Sequence, residues 1–457
     1  MSSLPVDLEL IKKYNVPGPR YTSYPPATQF TDQVEREFLA DLIRENQEST
    51  RDLSLYFHIP FCESLCWFCG CTTVITTKHQ RGADYLGTLD RDMKLSSGIM
   101  NPERRVVQMH FGGGTPTFLQ AEEIRRLGEM IKEHFIFAEN LEAGVEIDPR
   151  RLTRDQVVAL RGAGFNRASM GVQDNNPKVQ EAVHRIQPLE ETRQAVDWLR
   201  EENFESLNID LIYGLPYQTE DSFEQTIDEI IVLNPDRLAI FSYAHVPWIK
   251  PAQKIITDDI LPGPEVKLRL LKLTIEKLTA AGYVYIGLDH FAKPDDELAI
   301  AQREKTLQRN FQGYSTAGGA DIFGFGMSSI SQIPDAYWQN IKGLDEYITA
   351  VDRSERPIAR GYLLTPEDRI RREVIMRMMC HLELDFSKLS WELDIDFPQF
   401  FASELESLHD MEDDGLLVRS EKDLKITDLG RLVIRNIAMR FDAYQKTERE
   451  QRFSKTI

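Results

Sequence analysis

The sequence predicts an α/β fold, an incomplete (β/α)6 barrel in which each strand is followed by a helix. From about residue 51, short apolar segments alternate with amphipathic helical patterns, which is typical of βαβ units and a parallel sheet. Polar or glycine-rich residues lie at or just past the end of each predicted strand. In a barrel these ends meet at one mouth, so the pattern favours a barrel over an open doubly wound sheet with a single crevice.

Six apolar segments are predicted to be the strands. They cover residues 53–61, 106–114, 143–148, 167–174, 206–214 and 237–245. After the second strand, Ile124, Leu127 and Ile131 recur at spacings of three and four residues, which places them on one face of a helix. Residues 190–202 and 220–233 have the same pattern. Strands and helices therefore alternate along this part of the chain.

Three regions are predicted along the chain. Residues 1–50 form an N-terminal extension, rich in Pro and Tyr, which either packs on the surface or, as we predict, covers the barrel mouth. Residues 51–350 form the barrel with its elaborations. Residues 351–457 form a mainly helical C-terminal domain, which ends in two short strands and a helix, as a winged helix does.

The overall charge limits the partners. The 457 residues contain 54 Lys and Arg against 73 Asp and Glu, a net charge of −19, which would repel nucleic acid and anionic membranes. No apolar stretch approaches the roughly 20 residues that span a bilayer. The N-terminus lacks the apolar core of a signal peptide, so we expect a cytoplasmic protein. An anionic substrate would need a local group of basic side chains.

The cysteines carry the strongest signal. Four of the five lie within ten residues, Cys62, Cys66, Cys69 and Cys71, with the spacing C-x3-C-x2-C-x-C. Three thiolates on one short loop can hold three corners of an iron–sulfur cluster and leave one iron open for chemistry. Apolar neighbours would limit solvent access, although Trp67 by itself is expected in ordinary core.

Other uses of these cysteines stay open at this point. A Cys3His zinc site could include His58 or His79, which flank the loop. A four-cysteine electron-transfer cluster could include Cys71, although ferredoxin ligand spacings differ. Structural disulfides are disfavoured because a reducing compartment is expected. The fifth cysteine, Cys380, lies in a predicted helix with apolar neighbours and is expected to be buried.

A glycine run, residues 112–114, follows the second predicted strand. Glycines let a ligand approach the backbone closely, so an amino-acid moiety could lie against this edge. The run lacks the Lys of a P-loop and the spacing of a dinucleotide-binding fingerprint.

Charged and amide side chains end other predicted strands. Glu146 and Asp210 could bind ribose hydroxyls or an ammonium group, whereas the alternative for Glu146 is a solvent-facing charge. Gln173 and Arg185 follow the fourth strand and could bind a carboxylate, the arginine through its bidentate fork.

Several of these motifs resemble a known family. The cysteine spacing, GGGTP after the second strand and GVQD after the fourth resemble radical S-adenosylmethionine enzymes. The longer motifs PRYTSYP (19–25), HIPFC (58–62), NIDLIYGLP (208–216), DHFA (289–292), RNFQGY (309–314) and GRLVIRNI (430–437) are similar to the oxygen-independent coproporphyrinogen III oxidases (dehydrogenases). The similarity runs nearly end to end, with a small departure at Pro26.

The resemblance implies a barrel of the radical S-adenosylmethionine type and a role for individual residues. Cys62, Cys66 and Cys69 would ligate a [4Fe–4S] cluster. A first S-adenosylmethionine, chelating the open iron, would contact Tyr56, Gly113, Glu146 and Ile330. A second would lie near Phe68, Gly114, Thr115, Gln173, Arg185, Asp210 and Ala244. Cys71 and Gln312 would lie near the reaction site without ligating the cluster.

The activity implied is the anaerobic oxidative decarboxylation of two propionates of coproporphyrinogen III, on rings A and B, in haem biosynthesis. An electron donor such as flavodoxin or ferredoxin and a monomeric state are also expected. The alternatives are a related haem chaperone, which usually carries another sequence around the second and third cysteines, and a plain electron-transfer protein. The residues that bind the substrate carboxylates are left open, with Arg20, Arg185, Arg309 and His290 as candidates.

Overall fold

The computed structural model describes residue 4, residues 6–33 and residues 36–446. Contacts between α-carbons divide the chain into two compact units. The cysteine unit consists of Phe30–Asp210 and Gly319–Leu363, and the terminal unit of Met1–Gln29, Leu211–Gly318 and Leu364–Ile457. Each unit is thus assembled from segments that are far apart in the sequence. The predicted three regions stay a prediction.

Parallel strands form the centre of the cysteine unit. Leu53–Ile59, Arg105–Gly113, Ile136–Ile147 and Arg167–Gln173 are the first four main strands, and each pairs in parallel with the next. The third main strand begins at Ile136, directly after the helix that ends at His134, whereas the sequence predicts a start at residue 143. Residues 206–210 of the fifth main strand, Ser206–Tyr213, also belong to this unit.

A later segment extends this sheet on its other side. Asp321–Phe325 pairs in parallel with the first main strand, although about 270 residues separate them in sequence. Three antiparallel strands follow it in the sheet, Ile330–Ile333, Ala336–Asn340 and Ile358–Leu363. The short strands Phe61–Cys62 and Val74–Ile75 pair separately, in parallel. The alternation of strand and helix predicted from the sequence is confirmed here.

Helices connect these strands. The helices of the cysteine unit are Arg36–Glu45, Gln80–Ser97, Ala121–His134, Arg154–Ala163, Pro177–Ala182, Leu189–Glu201 and Leu344–Asp352, with 3-10 turns at Asn46–Glu48, Pro116–Phe118 and Pro149–Arg151. Ile124, Leu127 and Ile131 are buried, as their spacing predicts. Arg154–Ala163 begins with a capping box between Thr153 and Gln156 and ends at Gly164, whose φ of 106° suits glycine.

A buried ion pair joins the extended side of this sheet to the loop before the second strand. Arg104 Nη2 lies 2.5 Å from Asp321 Oδ2, and the two side chains are 2% and 1% exposed. Arg51 Nε also donates to Asp321, at 2.8 Å. Removing one partner leaves a buried, uncompensated charge, which is strongly destabilising.

We therefore expect Asp321→Ala to lower the free energy of unfolding by about 3–5 kcal/mol. Urea denaturation followed by circular dichroism measures this loss. Asp352→Ala is the control, because Asp352 forms an exposed pair with Arg91 and should cost at most about 1 kcal/mol. Equal losses in the two variants would contradict the role of burial.

The terminal unit contains smaller sheets. Its strands are Arg237–Ser242, which is the sixth main strand, Val284–Gly287, His290–Ala292, Gln308–Asn310, Gly313–Ser315, Glu383–Asp385, Leu417–Arg419 and Asp423–Ile426, together with residues 211–213 of the fifth. Gln308–Asn310 and Gly313–Ser315 form an antiparallel hairpin. His290–Ala292 pairs antiparallel with the sixth main strand.

Helices make up most of the rest of the terminal unit. They are Leu8–Tyr14, Glu220–Leu233, Pro264–Ala280, Glu297–Glu304, Pro366–His381, Phe386–Leu393, Phe397–Phe400, Ala402–Glu406, His409–Asp413, Asp428–Arg431 and Ile434–Met439, with 3-10 turns at Ala27–Gln29, Pro251–Ile255, Asp258–Ile260 and Ala443–Lys446. Two short strands precede the last two described helices, where the sequence predicts two short strands and a single helix.

The core of this unit includes parts of both chain ends. Cys380 is 1% exposed among apolar neighbours, which confirms it as a buried core thiol. Tyr21 and Tyr24 belong to the same cluster, and Tyr21 donates its hydroxyl to Asp442 at 2.9 Å. The Pro- and Tyr-rich segment is therefore anchored by buried aromatic rings within the terminal unit.

Candidate functional site

The cysteine loop directly follows the first main strand. Cys62 lies in the short strand that pairs with Val74–Ile75, so this pairing closes the loop at its base. Cys66 is buried, Cys62 and Cys69 are partly exposed, and Cys71 is exposed. None of the four forms a disulfide. The loop thus presents separate sulfur atoms at the end of a parallel strand.

Two arginines converge on Cys66. Arg185 Nη1 lies 3.6 Å and Arg150 Nη2 3.8 Å from its sulfur. Asp148 lies between them and pairs with both, at 2.6 Å from Arg150 Nη2 and 3.3 Å from Arg185 Nη2. Burial would raise the pKa of Asp148, but the charge of Arg185 and the contacts with Arg150 lower it below its usual value. The sulfur therefore faces guanidinium groups held by an ionised carboxylate.

The other two predicted ligands also have polar neighbours. Thr115 Oγ1 lies 3.4 Å from the sulfur of Cys62, and the amide of Cys71 donates to the sulfur of Cys69 at 3.4 Å. Burial raises the pKa of the Cys62 thiol to about 11 despite the hydroxyl of Thr115. Coordination to iron would deprotonate such a thiol, and hydrogen bonds to the sulfur would then stabilise its charge.

The donor set fits a cluster better than a zinc ion. His58 Nε2 is bonded to the carbonyl of Thr72 at 2.9 Å, and His79 stacks on Phe118 with ring centroids 4.6 Å apart. Within the described ranges, no three His, Cys, Asp or Glu side chains are placed to hold a single ion. A cubane cluster needs its thiolates on separate irons, which three spaced sulfurs can provide.

Aromatic residues surround the loop unevenly. Phe61 is 1% exposed, as expected for an apolar neighbour of the cysteines. The expectation that Trp67 lies in ordinary core is wrong, because this side chain is only partly buried and stacks on His184, with ring centroids 5.2 Å apart. Its amide donates to the carbonyl of Val183 at 3.0 Å. Trp67 therefore attaches the loop to the segment after the fourth strand.

The glycine run passes close to the base of the cysteine loop. A Cβ on Gly113, whose φ is 111°, would lie 2.5 Å from the ring of His58. A Cβ on Gly114 would lie 2.5 Å from the carbonyl oxygen of Pro60. The amide of Gly114 donates to the carbonyl of Ile59 at 2.8 Å. These positions need glycine because backbone and ring occupy the space of a side chain.

Glu146 ends the third strand beside this run. Its Oε2 accepts from the amide of Gly113 at 3.2 Å, and its Oε1 lies 3.5 Å from His110 Nε2. Burial would raise the pKa of Glu146, but His110 and the Gly113 amide outweigh it and lower the pKa. The carboxylate is therefore ionised and held at the strand end, where it can attract an ammonium group.

Tyr56 and Ile330 lie near the ends of neighbouring strands. The hydroxyl of Tyr56 lies 3.2 Å from His58 Nδ1, and its ring stacks on His110 at 6.1 Å. Ile330 begins an antiparallel strand next to Asp321–Phe325. It stands at the edge where the parallel strands end, because an antiparallel strand starts where its neighbour finishes.

Asp210 and Gln173 lie at the fifth and fourth strands. Asp210 accepts from Asn208 Nδ2 at 2.7 Å and from Ser169 Oγ at 3.2 Å. Burial raises its pKa to about 7, and these hydrogen bonds only partly oppose the shift. Gln173 has a φ of 71°, and its Oε1 is buried without a hydrogen-bond partner. An acceptor left unpaired at a strand end indicates a missing donor, such as a ligand amine.

The structure brings most predicted residues to one edge of the cysteine unit, with two exceptions, Ala244 and Gln312. Phe68 lies on the cysteine loop and is partly exposed. Ala244 follows the sixth strand and is exposed, and Gln312 lies in the turn of the hairpin. Ala244 and Gln312 belong to the terminal unit.

Sequence reasoning missed several residues that contact the site. Arg150, paired with Asp148, lies against the sulfur of Cys66. His110 lies within ion-pair distance of Glu146. Ser169 and Asn208 donate hydrogen bonds to Asp210. The run EIDPR, residues 146–150, was available as a signal, because it places three charged residues at or just past a strand end. The contacts of His110 and Ser169 depend on which strands are neighbours.

Comparison with known proteins places this geometry in a family. Residues 56–230 match the model of the radical SAM superfamily, and residues 364–433 match the HemN C-terminal domain. The oxygen-independent coproporphyrinogen III oxidase of Synechocystis sp. is 47% identical and covers 98% of this chain and 97% of its own length. The chain belongs to the oxygen-independent coproporphyrinogen III oxidase family. The Escherichia coli relative is also 47% identical, over 99% of this chain and 98% of its own length.

A solved structure supports the family and the fold. Coproporphyrinogen III oxidase (HemN) from Escherichia coli, a radical SAM enzyme, superposes with a TM-score of 0.92 at 45% identity, covering 97% of this chain and 100% of that one. The predicted α/β fold of the radical S-adenosylmethionine type is confirmed. Membership also implies a [4Fe–4S] cluster and S-adenosylmethionine as cofactors. Among the described residues, no helix has both the length and the apolar character to cross a bilayer.

Proposed function

We propose that this chain converts coproporphyrinogen III to protoporphyrinogen IX by anaerobic oxidative decarboxylation of the propionates on rings A and B. The observation that carries this proposal is the loop of Cys62, Cys66 and Cys69, placed beside the ionised Glu146 and the glycine run. The relatives are named for their action on coproporphyrinogen III, and the shared site supports the same substrate here.

The three cysteines would hold the cluster, and the strand ends would hold the first S-adenosylmethionine. Glu146 is placed to bind the ammonium group, because its carboxylate is ionised and accepts hydrogen bonds. Tyr56, Gly113 and Ile330 would contact the same molecule at the strand edge. Arg150, Arg185 and Asp148 would fix Cys66 and keep positive charge at its sulfur.

Held by Cys62, Cys66 and Cys69, a reduced [4Fe–4S] cluster would supply one electron to S-adenosylmethionine, and this cofactor would supply the radical chemistry that removes a hydrogen atom from the β-carbon of a propionate. Loss of CO2 and of one further electron leaves a vinyl group, so each round needs an electron acceptor. The residues of the chain position the reacting groups and exclude water and oxygen. Cys71 and Gln312 are proposed near the reaction site without ligating the cluster.

A second S-adenosylmethionine is proposed beside the first. Gln173 and Asp210 support it, because Gln173 carries an unpaired buried acceptor and Asp210 a partly buried carboxyl group whose pKa is raised to about 7. Arg185 would serve both the cluster side and this molecule. Phe68, Gly114, Thr115 and Ala244 complete the proposed set.

We expect Asp210→Asn to reduce bound S-adenosylmethionine from two molecules per chain to one. The pKa of Asp210 is raised to about 7, so its carboxylate is mostly neutral at pH 6 and ionised at pH 8. Affinity for a cationic ligand at this site should therefore rise with pH in the parent chain and stay flat in the variant. Equilibrium dialysis with labelled S-adenosylmethionine measures both.

Asp155→Asn is the matched control, because Asp155 is exposed at the start of a helix. It should bind two molecules with the parent pH dependence. Two molecules bound by the Asp210 variant with unchanged affinity would exclude the proposed role of this carboxylate.

One experiment tests the activity. The cluster is reconstituted anaerobically and reduced, and S-adenosylmethionine is added with coproporphyrinogen III. Stepwise loss of two carboxyl groups in the product mass is expected. Haem binding without decarboxylation would instead favour a haem chaperone, and absence of 5′-deoxyadenosine would leave only electron transfer. The relatives are named as oxidases, which favours the enzyme.

The remaining features of the proposal concern the setting of the reaction. We propose a monomer that receives electrons from a flavodoxin or ferredoxin, and a cytoplasmic location in which thiolates persist. The acidic composition supports the absence of nucleic-acid partners. A cover over the site formed by residues 1–50 stays a prediction.

A further inference from the structure

A buried arginine without a counter-ion lies in the terminal unit. Arg309, in the strand Gln308–Asn310, is 8% exposed. Its Nε and Nη1 are buried without a hydrogen-bond partner, and no described residue forms an ion pair with it. The guanidinium lies over the ring of Tyr314, 4.8 Å from its centroid. A desolvated cation of this kind is costly unless a ligand supplies the missing acceptors.

Another buried arginine of the same unit shows the usual arrangement. Arg237 donates from Nε to Asp296 at 2.8 Å and from Nη2 to Glu297 at 2.6 Å. Burial alone would lower its pKa, but the two carboxylates raise it. The cost of burying the Arg237 guanidinium is therefore compensated by two carboxylates, as expected for an arginine with a structural role. Arg309 lacks that compensation.

Positive charge accumulates around Arg309. Arg20 pairs with Asp289 at 3.0 Å, and Arg435 donates to the carbonyls of Gly18 and Pro19. The pKa of Arg435 is lowered to about 10, chiefly by burial and also by the charges of Arg20 and Arg309, whereas Asp289 opposes the shift. Two guanidinium groups, those of Arg20 and Arg309, therefore act on the charge of Arg435. Asp289 is the one carboxylate among the groups that influence Arg435 most strongly.

The hairpin of Gln308–Asn310 and Gly313–Ser315 and the strand His290–Ala292 contain further unpaired polar atoms. His290 Nδ1, Gln312 Nε2 and the hydroxyl of Tyr314 are buried without hydrogen-bond partners. The rings of His290 and Tyr314 meet edge-on, with centroids 5.3 Å apart. Burial lowers the pKa of His290 to about 4, and Arg309 contributes to this shift, so the imidazole is neutral near pH 7. It can donate a hydrogen bond without adding charge.

We propose that Arg309, supported by Gln312, Tyr314 and His290, binds a propionate carboxylate of the substrate. This inference rests on the proposed function, in which the substrate carries four such carboxylates. A planar guanidinium fork matches a carboxylate in two parallel hydrogen bonds. The basic group also provides the local positive charge that an anionic substrate requires in a chain with a net charge of −19.

Whether the guanidinium charge is compensated also distinguishes the arginines that the sequence offers as candidates for binding the substrate carboxylates. Arg185 is paired with Asp148 and contacts Cys66, so its charge is already compensated. Arg20 is paired with Asp289 and is 42% exposed in its side chain. Arg309 is the candidate whose donors are buried and unpaired. The assignment therefore rests on Arg309.

The test measures binding of coproporphyrin III, the non-reacting oxidised form of the substrate, to the full chain with its cluster reconstituted. We expect Arg309→Gln to raise the dissociation constant about 10- to 100-fold, as for loss of a charge-assisted hydrogen bond. The uncharged tetraamide of coproporphyrin III should bind the parent and the variant equally. Arg309→Lys should retain part of the affinity, because it keeps the charge and loses the fork.

Thermal stability is a second measurement: Arg309→Gln should weaken ligand binding without lowering the stability of the chain. Because Arg309 is an uncompensated buried cation, Arg309→Gln should leave the melting temperature of the ligand-free chain unchanged or raise it. Arg303→Gln is the control, because it removes an exposed arginine of the same unit. It should alter the affinity for neither coproporphyrin III nor its tetraamide. A large fall in melting temperature of Arg309→Gln would show a structural role and overturn the inference.

Two further outcomes would also overturn it. One is unchanged affinity of Arg309→Gln for coproporphyrin III, and the other is an equal loss of affinity for the acid and the tetraamide. The proposed function fails separately, if the parent chain binds coproporphyrin III but forms no decarboxylated product from coproporphyrinogen III. The comparison of the parent and Arg309 variants still decides the carboxylate site in that case.

Discussion

Cys62→Ser abolishes assembly of the cluster and cleavage of S-adenosylmethionine, whereas Cys71→Ser retains both. This is the expected result because the family motif assigns Cys62, Cys66 and Cys69 as the ligands, and the polar group at each of these sulfurs would stabilise a thiolate. Cys71 is exposed and offers its amide to the sulfur of Cys69. A serine hydroxyl is a poor substitute for a thiolate on iron. With only two thiolates left, the cluster loses a corner ligand.

Iron analysis and formation of 5′-deoxyadenosine measure this effect. We expect about four irons per chain in the parent and in Cys71→Ser, and less than about one in Cys62→Ser. Cleavage of S-adenosylmethionine should fall on the order of a thousandfold in Cys62→Ser. Loss of the cluster in Cys71→Ser would instead mean that all four cysteines of the loop are ligands.

The second large effect is expected from Gly114→Ala. A Cβ at this position would lie 2.5 Å from the carbonyl oxygen of Pro60 and 2.8 Å from that of Phe61. These are backbone atoms of the segment that leads into Cys62, so they cannot move aside as a side chain can. We expect a loss of about 1–3 kcal/mol in unfolding free energy and a roughly 100-fold fall in S-adenosylmethionine cleavage.

Gly162→Ala is the control for this substitution. Gly162 lies in the helix Arg154–Ala163, and no atom lies within 4 Å of a Cβ built on it. Alanine should therefore stabilise the helix by up to about 1 kcal/mol and leave cleavage unchanged. Parent-like iron content and cleavage in Gly114→Ala would show that the loop can shift without harm, contrary to this account.

Local signals predicted much of the fold and of the site. The apolar periodicity around Ile124 and Leu127 identified a helix because side chains three and four residues apart share a helix face. The strand ends identified Glu146 and Asp210 because parallel strands bring their carboxyl ends to one edge. Within the cysteine unit the structure confirms this placement, although the cofactor roles of these residues stay predictions.

Non-local contacts were beyond the reach of these signals. The start of the third strand at Ile136 was missed because its polar residues hide the strand pattern. The strand Asp321–Phe325 lies beside the first strand, a pairing that no local pattern encodes. Likewise, RNFQGY (309–314) was recognised as a motif, but sequence could not show that Arg309 lacks an acceptor.

The sequence by itself determined the alternation of strands and helices, the cysteine spacing and the family. These depend on residues close together in the chain, where periodicity and spacing act directly. Only the tertiary structure decided that Arg150 and Arg185 meet at Cys66 around Asp148, and that Arg309 is buried without a counter-ion. Charge compensation and burial depend on which distant segments pack together, so they exist only once the chain has folded.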